Sequence, residues 1–324
     1  MQTVWLIIKW LLVLVVVLLI LGFIYEQYSR YNAKNSFVDN GTYVEVNGHK
    51  MHYQKVGEGK PTVIFESGLD FTGHLSWRKV QDEVSKFAMT ISYDRAGILR
   101  SEKSDKARTC ENMAEELHLL LEKIEVKEPY ILVAHSLGGL IARCYAKKYT
   151  HTLSGIVFVD ASHPDQISKA PQMIKAQMKS GGLPSDWVIS LAFDTGFFRW
   201  VIDKTTDEFY KDRDDIKAIK SEINAYLIKS YQGSMREMKM LEDIMNEAKG
   251  VSFVDIPFTV LTATQNGKKE FDRVFFEFFS RLQEESLSLS TQSKHISVDS
   301  GHFIQLEKPD VVVGTIREMV GSNQ

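Results

Sequence analysis

The chain has 324 residues, of which 44% are hydrophobic and 25% are charged, and its net charge is −3. This composition excludes a disordered tail and supports one large domain or two ordinary ones. No long basic block interrupts the chain, so its charge gives no reason to expect a nucleic-acid partner. The two cysteines, Cys110 and Cys144, are too few for a disulfide scaffold and lack zinc-ligand spacing, which leaves the redox compartment open.

The N-terminus carries an apolar run from Val4 to Ile24, in which Lys9 is the one charged residue. As a helix this run would reach roughly 31 Å, enough to cross the hydrocarbon core of a bilayer. The residues that follow lack a small-x-small cleavage site, so the pattern favours an uncleaved transmembrane anchor over 4–24 rather than a secretory signal. The flanking charges are nearly balanced, and of the two orientations we favour the one that places the rest of the chain outside the cytoplasm.

A polar linker is predicted over 25–40, and strand patterns follow it. Residues 42–54 alternate in polarity around Asn47-Gly48, a dipeptide that favours a tight turn, and so predict a β-hairpin. The next strand candidates are apolar on both faces, as is typical of parallel strands covered by helices. They are TVIFE (62–66), MTISYD (89–94), YILVAH (130–135), GIVFVD (155–160) and FTVLTA (258–263). Segments of helical spacing separate them, so the sequence predicts an α/β fold with a mostly parallel central sheet.

The alternation of strands and helices stops in the middle of the chain. Between Pro164 and about Gly250 the pattern is wholly helical and contains no obvious strand. We therefore predict a helical cap over 164–250, inserted into a core formed by 41–163 and 251–324.

Ser136 lies in AHSLGG (134–139), between the apolar run YILVAH and a segment of helical spacing. A sharp strand-to-helix turn would lift its hydroxyl out of the sheet, and the small neighbours Ala134, Gly138 and Gly139 let the backbone pass closely on both sides. This pattern favours a nucleophilic serine, with an N-cap of the following helix as the alternative. A serine nucleophile needs a histidine base and usually a carboxylate that orients it.

From about Thr42 to the C-terminus the chain resembles the α/β-hydrolase superfamily. The motifs that carry the resemblance are FESGLD, SYDRAG, AHSLGG, FVDASHPDQ and SGHFIQLEKPD, in the order and spacing of that family. The usual nucleophile pattern is G-x-S-x-G, and alanine stands here at its first small position, a change that we expect to be tolerated. The resemblance implies a hydrolase with Ser136 as nucleophile and with no metal or organic cofactor.

The resemblance also implies the base. His302 stands in a loop after the apolar-patterned KHISV and before a helix that begins near Pro309, where this fold places its histidine. His163 is the second candidate. His135 is adjacent to the serine, but it ends the strand, and we expect its ring to point to the other side of the turn.

The carboxylate has more than one candidate. Many family members carry it after the strand that follows the helical insertion, but here that strand leads into TATQNGKKEFD, where Glu270 and Asp272 are the first acids. Other members carry it at the end of the preceding strand, where this chain has Asp160. We favour Asp160, with Asp272 and Glu270 in reserve. The structural alternative is that Asp160 only bonds backbone amides of its own loop.

The resemblance places an oxyanion hole at two backbone amides, those of Leu69 and Leu137, with Ser67-Gly68 as an ordinary turn in the alternative reading. It implies that His302 deprotonates Ser136, that the serine attacks a carbonyl, and that water then releases the acyl-enzyme. The SYDRAG motif is interpreted as a structural turn. Related epoxide hydrolases and haloalkane dehalogenases carry aspartate at the nucleophile position, so serine disfavours both chemistries.

The expected substrate is a small acyl compound, lipid-like ones included, and a carboxylic ester is the default over a thioester, lactone or peptide. Phe193, Phe197 and Trp200 fall at helical spacing within the insertion, where they would line an acyl pocket or form the core of the cap. An aminopeptidase-like or haloperoxidase-like member of the superfamily is one alternative. A non-catalytic, membrane-tethered binding module is the other.

Overall fold

The secondary structure follows the predicted alternation. The computed structural model describes residues 2–36, 39, 41–180, 186–210, 216–265 and 270–322. The strands are β1 (Thr42–Val46), β2 (His49–Val56), β3 (Thr62–Glu66), β4 (Thr90–Tyr93), β5 (Tyr130–His135), β6 (Leu153–Val159), β7 (Phe258–Ala263) and β8 (Ser293–Val298). The helices are α1 (Gln2–Ser36), α2 (Arg78–Val84), α3 (Cys110–Lys123), α4 (Leu137–Tyr149), α5 (Gln172–Ser180), α6 (Asp186–Asp194), α7 (Phe197–Tyr210), α8 (Ile216–Lys239), α9 (Leu241–Glu247), α10 (Glu270–Ser286), α11 (Ile304–Glu307) and α12 (Pro309–Ser322).

The strands form one eight-stranded sheet in the order β1-β2-β4-β3-β5-β6-β7-β8. The first hairpin is antiparallel, β2 pairs antiparallel with β4, and all the remaining pairs are parallel. Asn47 and Gly48 form the hairpin turn with φ angles of 50° and 80°, which asparagine and glycine tolerate best. The structure thus confirms the predicted α/β fold with a mostly parallel sheet.

The central strands are buried on both faces because successive side chains point to opposite sides of the sheet. On β3, Val63 and Phe65 pack in one core cluster with α12, whereas Ile64 packs in the other cluster with α3 and α4. On β5, Ile131 packs in the cluster that contains α12, and Leu132 packs in the cluster that contains α3 and α4. This explains why these runs read as continuously apolar in the sequence.

The described chain divides into two compact units. One unit comprises 1–40 and 181–228, and the other comprises 41–180 and 229–324. The predicted insertion 164–250 contains helices α5 to α9. Three parts of it belong to the sheet-containing unit: α5, α9 and the C-terminal end of α8. The compact helical unit is therefore narrower than the insertion and includes the N-terminal helix.

Helix α1 corrects the prediction of a linker over 25–40, because the helix continues through the apolar run to Ser36. The segment 25–36 contains neither proline nor glycine, so nothing in it stops a helix. Ion pairs also hold its buried Glu26 in place, as described below. In the described residues α1 is the one helix long and apolar enough to cross a membrane.

Cys110 and Cys144 form a disulfide with their Cα atoms 6.0 Å apart. The bond joins the first residue of α3 to the middle of α4, and both cysteines are buried. The sequence left this pairing open because two cysteines carry no spacing signal that distinguishes a bridge from two buried thiols. The disulfide ties together two helices that cover the same face of the sheet.

Loss of this disulfide is expected to lower the free energy of unfolding. The bridge closes a segment with a sequence separation of 34. The chain-entropy relation for such a loop gives about 4 kcal/mol at 25 °C. Urea unfolding of the Cys110→Ala/Cys144→Ala variant measures the loss, and the wild-type protein kept reduced separates the missing bond from the changed side chains. Equal urea midpoints for oxidised and reduced wild type would contradict this expectation.

Candidate active site

Ser136 occupies the turn between β5 and α4, with φ 48° and ψ −121°. A positive φ is strained for a residue with a Cβ, and such strain is typical of functional turns. The turn is tight, since a Cβ at Gly138 would lie 2.7 Å from the carbonyl oxygen of Glu66. The Ser136 side chain makes no capping hydrogen bond to the described first turn of α4. The N-cap alternative therefore does not account for the serine.

His302 and Asp160 contact each other directly. The Nδ1–H of His302 donates to Asp160 Oδ2 over 2.6 Å, which leaves Nε2 as the ring atom for a second partner. Asp160 is 4% exposed, and its Oδ1 accepts from the backbone N–H of Ala263 over 3.0 Å. The same aspartate donates its own N–H to the Leu261 carbonyl. These bonds fix the carboxylate against β7, so it can hold one orientation of the imidazole.

The sheet brings Ser136 to the same edge as this pair. Strands β5 and β6 are parallel neighbours with His135 opposite Val159, so Ser136 and Asp160 follow at their carboxyl ends. The Ser136 carbonyl accepts from the N–H of Ser162 over 2.8 Å. The rings of His135 and His302 are 4.7 Å apart between centroids. The structure thus gathers a serine, an aspartate and a histidine at the carboxyl end of parallel strands, where α/β proteins bind their ligands.

The other two histidine candidates have structural contacts. His135 is buried beside Gly68, and its Nε2–H donates to the His302 carbonyl over 3.0 Å. Burial, together with electrostatic repulsion from His302, holds the pKa of His135 well below its ordinary value. Burial and the nearby Arg143 lower the pKa of His163 to about 4. Its Nδ1 accepts from the N–H of Asp165, and His302 is the histidine that contacts Asp160.

The reserve carboxylates do not replace Asp160. Glu270 begins helix α10, and its side chain is exposed. The side chain of Asp272 lies outside the described residues. Among the acid candidates whose side chains are described, Asp160 is the one that His302 contacts.

The loop after β3 runs beside the serine. A Cβ at Gly68 would lie 3.0 Å from the Cβ of Ser136 and 2.8 Å from Nδ1 of His135. Only glycine permits so close an approach. Leu69 follows directly in this loop, and Leu137 is buried as the first residue of α4. Both residues whose amides the sequence proposes as oxyanion donors therefore lie in segments adjacent to Ser136.

Arg95 holds this loop in place. Its guanidinium donates to the carbonyls of Ser67 and Gly68, each over 2.6 Å, and to Glu66 Oε1 over 2.7 Å. Glu237 accepts two further bonds from the same group, over 2.9 and 2.7 Å. Burial would lower the pKa of Arg95, but the charge and hydrogen bonds of Glu237, together with the charge of Glu66, outweigh it and raise that pKa well above its ordinary value. Arg95 thus stays charged although it is 4% exposed.

Sequence reasoning missed the supporting roles of Arg95, Glu237 and His135. The SYDRAG motif suggested a turn, and the structure adds that its arginine bonds the loop beside the serine. The sequence signal for the role of Arg95 was its position in a motif that directly follows a buried strand. The sequence contains no such signal for Glu237, because this residue lies 142 positions away from Arg95 on a helix that no sequence pattern connects to the motif.

A second polar cluster lies in the same unit. His52 and His74 each donate from Nδ1 to Asp94 over 2.8 Å, and all three side chains are buried. Their potential ligand atoms lie within 4.8 Å of one another. The distances of 2.8 Å are those of hydrogen bonds between the histidines and the carboxylate. Burial would raise the pKa of Asp94, but His74 and His52 outweigh it and hold that pKa well below its usual range.

The aromatic stripe of the insertion divides into two environments. Phe193 is 6% exposed and stacks on Phe198 with their ring centroids 4.5 Å apart. Phe197 and Trp200 are each 58% exposed. Phe193 therefore belongs to the interior of the helical unit, whereas the other two residues of the stripe face outwards.

Comparisons with known proteins identify the fold family of this chain. The model of the alpha/beta hydrolase fold family matches residues 61–309. The uncharacterized protein YbdG of Bacillus subtilis strain 168 is 32% identical over 171 residues, which are 51% of this chain and 53% of that protein. The chain spans about half the length of the first curated relatives it matches.

Two solved structures share the fold. An esterase from Exiguobacterium antarcticum has a TM-score of 0.61 at 17% identity, covering 87% of this chain and 99% of the esterase. An epoxide hydrolase from Bacillus megaterium has a TM-score of 0.64 at 19% identity, covering 86% of this chain and 100% of that enzyme. At such identity these likenesses concern the fold alone.

Proposed function

Because this chain belongs to the alpha/beta hydrolase fold family, we propose that it is a hydrolase that cleaves a carboxylic ester or a related acyl bond through a Ser-His-Asp triad. Ser136 is the nucleophile, His302 the base and Asp160 the acid of this proposal. The observation that carries it is the 2.6 Å bond from His302 to Asp160 at the sheet edge where Ser136 occupies a strained turn.

The proposed reaction has two steps. His302 accepts the proton of the Ser136 hydroxyl through Nε2 while the serine oxygen attacks the substrate carbonyl. Asp160 stabilises the imidazolium that forms, because its carboxylate accepts from Nδ1–H. His302 then protonates the leaving alcohol, and an ester of Ser136 remains. Water deprotonated by His302 attacks this acyl-enzyme, releases the acid and restores the serine.

The tetrahedral intermediates carry a negative oxygen that needs donors. We assign this role to the backbone amides of Leu69 and Leu137. Loss of one such donor lowers kcat by on the order of 100- to 1,000-fold in serine hydrolases. The bonds from Arg95 to the carbonyls of Ser67 and Gly68 support the assignment, because they hold the loop that presents the Leu69 amide.

The nucleophile separates this proposal from the chemistry of other family members. Related epoxide hydrolases and haloalkane dehalogenases use aspartate at the position that holds Ser136 here. A hydroxyl that forms an acyl-enzyme suits an ester or a related acyl bond, and a small acyl substrate follows from that. No observation favours the aminopeptidase-like or haloperoxidase-like alternatives over an ester hydrolase.

We further propose that α1 anchors the enzyme in a membrane and that the sheet-containing unit lies outside the cytoplasm. No residue in the most apolar stretch of α1 is buried, as expected for a lipid-facing helix. The disulfide between Cys110 and Cys144 supports the orientation, because disulfides persist in oxidising compartments and are rare in the cytosol.

Labelling with a fluorophosphonate tests the proposed nucleophile, since this reagent modifies activated serines. We expect a single adduct, which mass spectrometry of the digested protein locates on Ser136. The Ser136→Ala variant should take up no label, whereas Ser154→Ala, at the opposite end of β6, should label as the wild type does. An adduct on another residue, or none on folded wild-type protein, would refute the nucleophile, and the second outcome would favour a non-catalytic binding module.

A further inference from the structure

Helices α6 and α7 expose large apolar side chains. Trp187 is 70% exposed and Leu191 is 44% exposed, and they lie four residues apart on one face of α6. Phe197 and Trp200 are each 58% exposed on α7, with their ring centroids 6.2 Å apart. We call these four residues the aromatic patch. Exposed apolar surface of this kind marks an interaction site, so the patch needs a partner.

The turn between α6 and α7 packs directly on α1. A Cβ at Gly22 would lie 2.7 Å from the carbonyl oxygen of Thr195, which belongs to this turn. On the other side, a Cβ at Gly196 would lie 2.8 Å from the ring of Tyr25. Glycine at position 22 therefore lets the two backbones approach closely, and glycine at position 196 leaves room for the ring of Tyr25. The hairpin of α6 and α7 sits at the level of residues 22–25 of α1.

A buried ion pair and a more exposed one fix the hairpin at this level. Arg199 of α7 donates two bonds to Glu26 of α1, each over 2.8 Å, and the two side chains are 3% and 1% exposed. Arg30 donates to the same glutamate over 2.8 Å and to Asp194 of α6 over 3.0 Å. Displacement of the hairpin along α1 would separate these charges, and a buried charge without its partner is strongly unfavourable.

The level of contact coincides with the end of the apolar run. The run 4–24 covers roughly 31 Å as a helix, about the thickness of the hydrocarbon core, so Gly22 lies near its boundary. Tyr25, Tyr28 and Tyr31 follow and are 49%, 64% and 68% exposed. Exposed tyrosines at this point are typical of the membrane–water interface. The turn of the hairpin, which is fixed beside Gly22 and Tyr25, therefore lies at interfacial depth.

We propose that the aromatic patch docks on the lipid bilayer, with its side chains at the boundary between headgroups and acyl chains. Tryptophan and phenylalanine are the residues that favour this zone. The bilayer is the partner because α1 carries the patch to the membrane and holds it at the depth of the interface. This inference rests on the proposed anchoring by α1 and is independent of the proposed chemistry at Ser136.

Quenching of tryptophan fluorescence by brominated lipids tests the proposal. The full chain with Trp5→Phe and Trp10→Phe loses the anchor tryptophans and keeps Trp77, Trp187 and Trp200. We reconstitute it in phosphatidylcholine vesicles whose acyl chains are brominated near the carbonyl end. Trp77 is fully buried in the sheet-containing unit, so the expected quenching comes from the patch. Adding Trp187→Phe and Trp200→Phe should abolish most of it.

Two controls keep the outcomes separate. Carbonate extraction shows whether α1 integrates in the bilayer, and fluorophosphonate labelling shows whether the serine is active. Unquenched Trp187 and Trp200 in a protein that resists extraction would overturn the docking proposal and assign the patch to contact with another protein surface. Release by carbonate would instead refute the anchoring, and docking with it. Loss of labelling alone would bear on the proposed chemistry.

Discussion

Ser136→Ala is expected to lower kcat for hydrolysis of a soluble ester such as p-nitrophenyl butyrate by about 10⁶-fold, as removal of the catalytic serine does in a serine protease. The physical reason is that alanine offers no oxygen to form the acyl-enzyme, whereas the backbone of the turn stays in place. Steady-state kinetics on the purified full chain give the value. Residual activity should come from water held near the amides of Leu69 and Leu137.

Substitution of a second serine, far from the site, is the control for this experiment. Ser154 lies at the start of β6, and its hydroxyl donates to the carbonyl of Tyr130 at the far end of the sheet. Ser154→Ala should therefore retain the wild-type kcat. Thermal unfolding of the two variants checks that both remain folded. A Ser136→Ala protein with near-wild-type activity would show that hydrolysis proceeds without this hydroxyl and would remove the basis of the proposed function.

Asp160→Asn is expected to lower kcat for the same ester by about 10⁴-fold, as asparagine does at this position of a serine protease triad. The amide is uncharged and cannot stabilise the imidazolium of His302. Its NH₂ group also favours the tautomer of His302 that presents an unprotonated Nδ1 to it, so that Nε2 carries the hydrogen and cannot act as base. Kinetics with saturating and limiting ester separate kcat from KM.

Glu270→Gln is the control for the carboxylate. Glu270 is exposed at the start of α10, and we expect its substitution to leave kcat/KM unchanged. A large loss in Glu270→Gln together with a small loss in Asp160→Asn would reverse the assignment of the acid. Asp272→Asn extends the comparison to the remaining candidate.

The sheet could be predicted closely from the sequence because its central strands are buried on both faces. The runs 62–66, 130–135 and 258–263 coincide with β3, β5 and β7. A continuous apolar run between turn residues has few other interpretations when segments of helical periodicity alternate with it. The extent of α1 could not be predicted in the same way. Its polar end resembles a linker, and the ion pair from Glu26 to Arg199 joins residues 173 positions apart.

In the candidate site, too, features set by neighbouring residues could be predicted, whereas contacts between residues far apart in the sequence could not. The positions of Ser136 and Asp160 follow from the ends of adjacent strands, which a sequence pattern reveals. The contacts that hold the site do not, since Arg95 meets Glu237 from 142 residues away. Charged residues in separate helices carry no mark of their partner in a single sequence. Folding is what selects the pairs, because burial makes an unpaired charge unfavourable.

The direct pairing of β6 with β7 has an evolutionary consequence. Val159 lies opposite Leu261, although the chain between them contains all of α5 to α9. The entropy of closing such a loop changes by only about 0.6 kcal/mol for each doubling of its length. Insertions, deletions and divergent sequence within that segment therefore leave the strand register, and with it the bond from Ala263 to Asp160, largely undisturbed. Lineages descended from such a chain can change the length of the helical segment without moving these strands, as long as its buried charge partners Arg199 and Glu237 remain.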